Sequence, residues 1–363
     1  PSVESYARAR DGEYNLITLT ERINKRPLPE IIIADMRKEV KRGNNTSFSS
    51  ALREELGKTL SDGNQTMILC RDCGYVAKCE HCDVTLTYHS EDDCLKCHYC
   101  GAKYRMLPAC PQCGGIHIRY GGTGTQRVVA DLNAMFPQAR ILRMDNDTVG
   151  GKDGHYKILS AFSQKRADIL VGTQMVAKGH DFPSVTLVGI LDADMSLQFE
   201  DYRSGERTFQ LVTQVSGRSG RADANGKVVL QTYCPENYIL RYAVNYDYLG
   251  FIENEIRIRE TTFYPPYALV CRIMITGEDE QSALDVLKNV YEETEKLRAQ
   301  DGDEFIFLNR MRSPIKRIQE KFRFQVLMRL KSGKYLKTIY DMAASYSDSK
   351  TFVYIEENPA NLS

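Results

Sequence analysis

The chain has 363 residues, with 48 basic and 48 acidic side chains and a formal net charge of zero. That length supports two or three domains, and 42% hydrophobic with 26% charged residues is ordinary for a folded protein, which excludes a disordered tail, a collagen-like chain and a coiled-coil rod. No run approaches the roughly 18 consecutive apolar residues of a membrane span, the start PSVESYARARDGEYN shows neither an initiator Met nor the apolar segment of a signal peptide, and neutrality confines any nucleic-acid surface to a local patch.

In chain order, Phe48 to Leu60 reads as a helix and Gln65 to Ile68 as the first strand of an α/β lobe. Cysteines then crowd together. Of eleven in the chain, nine fall between Cys70 and Cys113, four pairs of them as C-x-x-C: Cys70 with Cys73, Cys79 with Cys82, Cys97 with Cys100, and Cys110 with Cys113. A C-x-x-C turn aims two thiolates at one point, half of a tetrahedral zinc site, so eight ligands close two structural Zn2+ sites with no open position for catalysis. The 14 residues between Cys82 and Cys97 suit a zinc-ribbon loop. A nested grouping is favoured: Cys79, Cys82, Cys97 and Cys100 around one ion, and Cys70, Cys73, Cys110 and Cys113 around the other. A sequential grouping would have to close a site across the five residues between Cys73 and Cys79. Cys94 also begins a C-x-x-C but lacks a following Gly or Asp, and reads as a bystander. Redox-active pairs are the competing account, and would need labile thiols of low pKa.

Beyond the cysteines, strand and helix patterns alternate. A helix opens at Gly124 behind a glycine turn, Ala139 to Met144 is a strand, His155 to Lys165 an amphipathic helix, Ala167 to Gly172 and Val185 to Leu191 buried strands, Glu206 to Val215 a helix, and Lys227 to Thr232 a strand. Such alternation with apolar strands implies a parallel sheet covered on both faces. The cysteine module is then an insertion into one lobe. Two motifs fall at loop positions where such sheets place their chemistry. The first runs from Val171 to Pro183. The second runs from Gln214 to Ala222, a helix end that breaks at glycines and presents Arg218 and Arg221 three residues apart. Paired arginines on a rigid turn suit a polyphosphate transition state; singly they would be ordinary helix-end cations.

The pattern Q-x-x-G-R-x-G-R after G-T-Q-M-x-x-K-G-x-D-F-P resembles the second RecA-like lobe of superfamily 2 helicases. With C-R-D-C-G-Y-x-x-x-C-x-x-C, Gly122 to Arg127, Arg143 to Thr148, and Tyr264-Pro265-Pro266-Tyr267, the chain resembles the PriA family of bacterial replication-restart helicases, more weakly past about Ser282. The resemblance implies an arginine finger at Arg221 and a second γ-phosphate contact at Arg218. It places Gln214 and Gly217 at the ATP cleft, with Gly179 and Asp181 closing on the nucleotide, and gives Thr125 and Thr173 contacts to DNA phosphate. It also implies two zinc sites in the nested arrangement. Expected partners are DNA forks, single-stranded DNA, the single-stranded-DNA-binding protein and other primosome proteins. A monomer, cytoplasmic and nucleoid-associated in a bacterium, with no membrane partner, completes the expectation.

Missing motifs matter equally. No G-x-x-x-x-G-K-[ST] loop and no Asp-Glu-x-His occur; Gly57-Lys58-Thr59 lies in a helical run with Leu at position 52 where a glycine belongs. The chain is therefore expected to be a piece that lacks the first helicase lobe, needs that lobe for ATP and Mg2+, and is inactive alone. The connection before Cys70 is also shorter than the family's.

From Pro235 the pattern changes to helices over Tyr238 to Glu260, a Pro-Pro turn, then strands and helices of a small α+β domain. Arg310 to Lys331 holds eight basic residues and one acidic residue, Glu320. Lys316, Arg317, Lys321 and Arg323 are candidates for single-stranded DNA, whereas Phe322 and Phe324 are expected to face inward. The domains expected are the start of the lobe with its linker over 1–69, the zinc insertion over 70–116, the RecA-like lobe over 117–235 and the C-terminal domain over 236–363. The function expected is an ATP-dependent 3′-to-5′ DNA helicase that restarts replication; the alternative is a non-catalytic, zinc-stabilised DNA- and protein-binding module.

Overall fold

The structure, a computed structural model, describes residues 1–18, 27–44, 46–69, 87–89, 94–96, 102–105, 125–145, 148, 154–173, 176, 182–194, 201–219 and 226–360. Helix α1 (Val3–Arg10) starts at Ser2, whose hydroxyl accepts from the Ser5 amide. Strand β1 (Glu30–Asp35) leads into α2 (Met36–Lys41), capped by Asp35. Helix α3 (Ser50–Ser61) is capped by Ser49 and precedes β2 (Gln65–Leu69), buried along its whole length. Short strands β3 (Thr87–His89), β4 (Cys94–Lys96) and β5 (Lys103–Arg105) form a separate antiparallel ribbon. The lobe resumes with α4 (Thr125–Met135), β6 (Ile141–Met144), α5 (Gly154–Ser163), β7 (Ile169–Gly172), β8 (Val185–Ile190), α6 (Ser204–Ser216), β9 (Lys227–Thr232), α7 (Tyr238–Val244) and α8 (Tyr248–Thr262).

The six strands order as β1-β9-β8-β2-β7-β6, and every pairing is parallel. Alternate residues of one strand point to opposite faces of a sheet. Here they enter two different cores. Met67, Leu170, Val188 and Val228 pack with α5, α6, α7 and α8, whereas Ile68, Val171, Leu187 and Val229 pack with α3 and α4. Both faces are thus covered, as continuous apolar strands require. Strand β1 lies at the sheet's edge and was not anticipated from the sequence. The triplet Gly57-Lys58-Thr59 sits inside α3, where Lys58 Nζ donates to Glu54 at 2.7 Å, so it forms no phosphate-binding loop.

The second unit comprises β10 (Leu269–Gly277), α9 (Glu280–Gln300), β11 (Phe305–Ile318), β12 (Lys321–Leu330), α10 (Leu336–Ser345) and β13 (Thr351–Glu357). Its antiparallel sheet orders as β11-β12-β10-β13, with α9 and α10 on one face. Ile273, Ile275, Val326 and Met328 meet Leu287, Val290 and Ile339 there. By core membership α7 and α8 go with the parallel sheet, since Ile239, Leu240, Phe251 and Ile256 join its cluster. The break between cores falls near Pro265-Pro266, later than the expected boundary at 235. The reason is physical: the periodicity of α7 and α8 shows that each buries a face, but not against which sheet.

Candidate functional site

The first motif begins where the ends of β6 and β7 meet the start of α4. Strand β7 ends at Gly172, and a Cβ there would lie 2.0 Å from Val176 Cγ2 and 2.7 Å from the Met144 carbonyl oxygen, so close approach to β6 demands glycine. Thr173 follows directly, half-buried. Past the end of β6, Asp145 accepts from the Thr148 amide at 3.0 Å while its own amide donates to Thr148 Oγ1 at 2.9 Å. The Thr125 hydroxyl, at the start of α4, donates to Asp145 Oδ2, and Arg143 Nε lies 3.0 Å from the same oxygen. Burial pushes the Asp145 carboxyl up, but the Thr125 hydroxyl, the Thr148 amide and Arg143 together outweigh it and hold the carboxyl below the usual aspartate range. Thr125 is itself buried, and its hydroxyl is occupied within the protein. Asp145 is therefore the organising residue of this corner. Its sequence signal was the run Arg143 to Thr148, which carries an Asp three residues before a Thr, the spacing of reciprocal side-chain-to-backbone bonds.

Helix α6 carries the second motif. The Ser216 hydroxyl donates to the Val212 carbonyl at 2.6 Å, the Gly217 amide to Thr213 at 3.1 Å, and the Arg218 amide to Val215 at 3.0 Å. The last turn therefore tightens and sets Arg218 two residues past the helix, half-buried, with Gln214 exposed one turn earlier. Gly217 has φ −64°, and a Cβ there would make ordinary contacts at 3.5 and 3.6 Å, so the helix does not stop because of a left-handed glycine. Gly179, Asp181 and Arg221 lie outside the described residues, as do the eight paired cysteines, Cys70, Cys73, Cys79, Cys82, Cys97, Cys100, Cys110 and Cys113.

In the second unit, β11 and β12 form a long hairpin with the basic residues along it. Lys316 is exposed, the Arg317 guanidinium lies 4.1 Å from the Phe322 ring centroid, Lys321 Nζ is 3.8 Å from Glu278, and Arg323 is half-buried. Phe324 is 1% exposed and Phe322 packs against the same core, so the phenylalanines face inward as expected and are closed to base stacking.

Sequence reasoning missed a buried ion cluster at the start of α6. Arg259 of α8 is 1% exposed. Its Nη2 donates to Glu206 at 2.8 Å and its Nε to Glu255 at 3.2 Å, with Glu4 of α1 3.8 Å away. Burial pushes the Glu255 carboxyl above the usual range, against the pull of Arg259. In sequence, Glu255 and Arg259 look like an ordinary surface i,i+4 pair; only the packing of α8 onto α6 buries them.

A parallel α/β lobe whose sixth helix ends in Q-x-x-G-R-x-G-R is the C-terminal lobe of a helicase, and residues 133–223 match the family model described as the helicase conserved C-terminal domain. Residues 79–105 match the PriA DNA helicase Cys-rich region domain. The chain is 43% identical over 350 residues to the replication restart protein PriA of Bacillus subtilis, covering 93% of this chain and 43% of that protein. It is 36% identical to the protein of the same name from Synechocystis, covering 98% and 44%, and 35% identical to that from Chlamydia muridarum, covering 80% and 41%. The chain belongs to the PriA family, and spans less than half the length of these relatives.

Proposed function

We propose that this chain forms the arginine-bearing and DNA-binding part of an ATP-dependent 3′-to-5′ DNA helicase that acts at stalled forks and restarts replication. The observation that carries this reading is the coexistence, in one chain, of a helicase C-terminal lobe whose sequence follows α6 with paired arginines and a PriA-type cysteine region inserted after β2. In this reading ATP lies against the end of α6. Arg221 stabilises charge developing on the γ-phosphate, Arg218 supports it, and Gln214 and Gly217 contact the nucleotide, with Gly179 and Asp181 closing the same side. The β-phosphate and Mg2+ ligands are not among these 363 residues, since the sequence has no phosphate loop, so hydrolysis is assigned to the full-length protein.

In the same reading Thr173 meets a DNA phosphate through its hydroxyl. Thr125 gives its hydroxyl to Asp145, so its contact would run through the backbone amide at the start of α4. Lys316, Arg317, Lys321 and Arg323 neutralise single-strand phosphates. Zinc suits the cysteine region. The ribbon has three strands of three residues each, too little sheet to be stable by itself, so it needs a staple. Zn2+ bound there would supply that staple and no chemistry. The register is compatible with the nested grouping: Thr87 pairs with Lys96, so the start of β3 and the end of β4 lie at the same end of the hairpin. The domain limits follow the cores, with the zinc insertion over 70–116 and the lobe extending through α8. The reading also takes in a monomer, cytoplasmic and nucleoid-associated, that recruits the single-stranded-DNA-binding protein and other primosome proteins.

A second reading, a zinc-stabilised DNA- and protein-binding module without catalysis, is favoured by the helical placement of Gly57-Lys58-Thr59. Strand separation on a synthetic fork by the full-length protein with ATP distinguishes the two. ATP-dependent unwinding is expected, and fork binding without unwinding would favour the module.

A further inference from the structure

A continuous column of rings and guanidinium groups joins α6 to the second unit. Arg259, held by Glu206 of α6, lies 5.0 Å from the centroid of the Tyr202 ring, and Arg203 lies 4.6 Å from the same ring. Tyr202 stacks on Tyr264 with centroids 4.8 Å apart and planes at 14°. On that ring sits Arg329 of β12, 4.9 Å from the centroid, which also lies 5.1 Å from the Phe307 ring and donates to the Thr262 carbonyl. Next to the column, Arg203 donates to the carbonyls of Asn358 at 3.2 Å and Pro359 at 2.6 Å, and Arg207 of α6 donates to that of Ala360. The chain just past β13 is therefore hooked onto the first turn of α6.

We infer that Tyr202, Tyr264 and Arg259 are positioning residues that set α6, and through it Arg218, according to the seating of the C-terminal unit. This rests on the reading of α6 as the helix that carries the nucleotide-side arginines. The coupling is mechanical. A helix is stiff along its axis, and α6 is fixed at its first turns by a buried ion cluster and three carbonyl contacts, while its other end leads into Arg218, two residues past Ser216. Strand β12 connects the column to the basic hairpin: Arg329 sits near one end of that strand, and Lys321 and Arg323 at the other. DNA held by the hairpin thereby biases the seating of Arg329 on Tyr264. Both ends then act on one contiguous packed element, a physical route by which coupling between distant sites travels. A displacement of about 1 Å at a reacting group costs as much as 100-fold in rate.

The test measures ATP hydrolysis by full-length protein, with and without single-stranded DNA, for Tyr202→Leu, Tyr202→Phe, Arg329→Leu and Arg221→Ala. Among the described residues the buried Tyr202 hydroxyl has no hydrogen-bond partner, so Tyr202→Phe keeps the ring and is expected to behave as the parent. Tyr202→Leu is expected to lower DNA-stimulated kcat about 10- to 100-fold with KM for ATP little changed. Arg329→Leu, a change outside the buried cluster, lowers stimulation by DNA about tenfold and spares hydrolysis without DNA. Unchanged stimulation in folded Tyr202→Leu or in Arg329→Leu, beside loss in Arg221→Ala, overturns the inference and leaves the reading of α6 intact. Normal hydrolysis in Arg221→Ala instead overturns that reading.

Discussion

Replacing Arg259 by Met tests the buried cluster that anchors α6. The methionine fills most of the space but removes the one cation that lies between Glu206 at 2.8 Å and Glu255 at 3.2 Å. Glu206 is 7% and Glu255 4% exposed, so two carboxylates would remain in the core without a cation between them, held only by neutral donors, Gln210 and the Val3 amide on Glu206 and the Tyr238 hydroxyl on Glu255. Stranding one member of a buried pair costs about 3–5 kcal/mol, and that loss is expected here at neutral pH. The cost should shrink on acidification. Burial already raises the Glu255 carboxyl while Arg259 opposes it. Without the arginine the pKa rises further, the group takes a proton as pH falls, and the uncompensated charge disappears. Combining Arg259→Met with Glu206→Gln and Glu255→Gln removes the charge directly and should recover most of the stability. Urea unfolding followed by circular dichroism at pH 7.5 and pH 5.5 reads all these states. A destabilisation below about 1 kcal/mol at pH 7.5, or no recovery in the triple variant, would show that the cluster does not anchor α6.

Three further outcomes are expected. Gly172→Ala places a Cβ 2.0 Å from Val176 and 2.7 Å from a backbone oxygen, and should destabilise the lobe by about 1–3 kcal/mol in the same unfolding assay. Elemental analysis of purified protein should find two zinc ions per chain, since eight paired cysteines divided by four ligands per ion gives two, and strong chelation should make the cysteine region protease-sensitive. Neutralising Lys316, Arg317, Lys321 and Arg323 to Gln should lower the slope of log affinity against log salt for single-stranded DNA, measured by fluorescence anisotropy, by about 0.7 for each phosphate that is no longer neutralised.

The central strands of the parallel sheet were legible because they are short apolar runs buried on both faces, as in Ile169–Gly172 and Val185–Ile190. Strand β1 was not read, although Ile31 to Ala34 is a short β-branched apolar run, because four residues between Glu30 and Asp35 carry no periodicity that separates a strand from a short buried segment. Strand β11 runs from Phe305 to Ile318, and its far end is hard to read for a related reason: its outer half is an edge rich in Arg, Ser and Pro, with little apolar alternation to mark it. At the candidate site, Gln214, Arg218 and Thr173 were legible as motif letters. The role of Asp145 was hidden because it depends on Thr125, twenty residues away in sequence, meeting it across the sheet edge. The Arg259 cluster was hidden for the same reason, since burial is a property of which helices pack together.

The helicase reading is tested most sharply by DNA-stimulated ATP hydrolysis in full-length protein carrying Arg221→Ala, with fork binding measured in parallel. Removing a cation that acts on transition-state charge typically costs about 10³-fold or more, and such a fall in kcat with fork affinity unchanged is the expected result. Near-parental hydrolysis by the folded variant would mean that Arg221 is not the arginine finger.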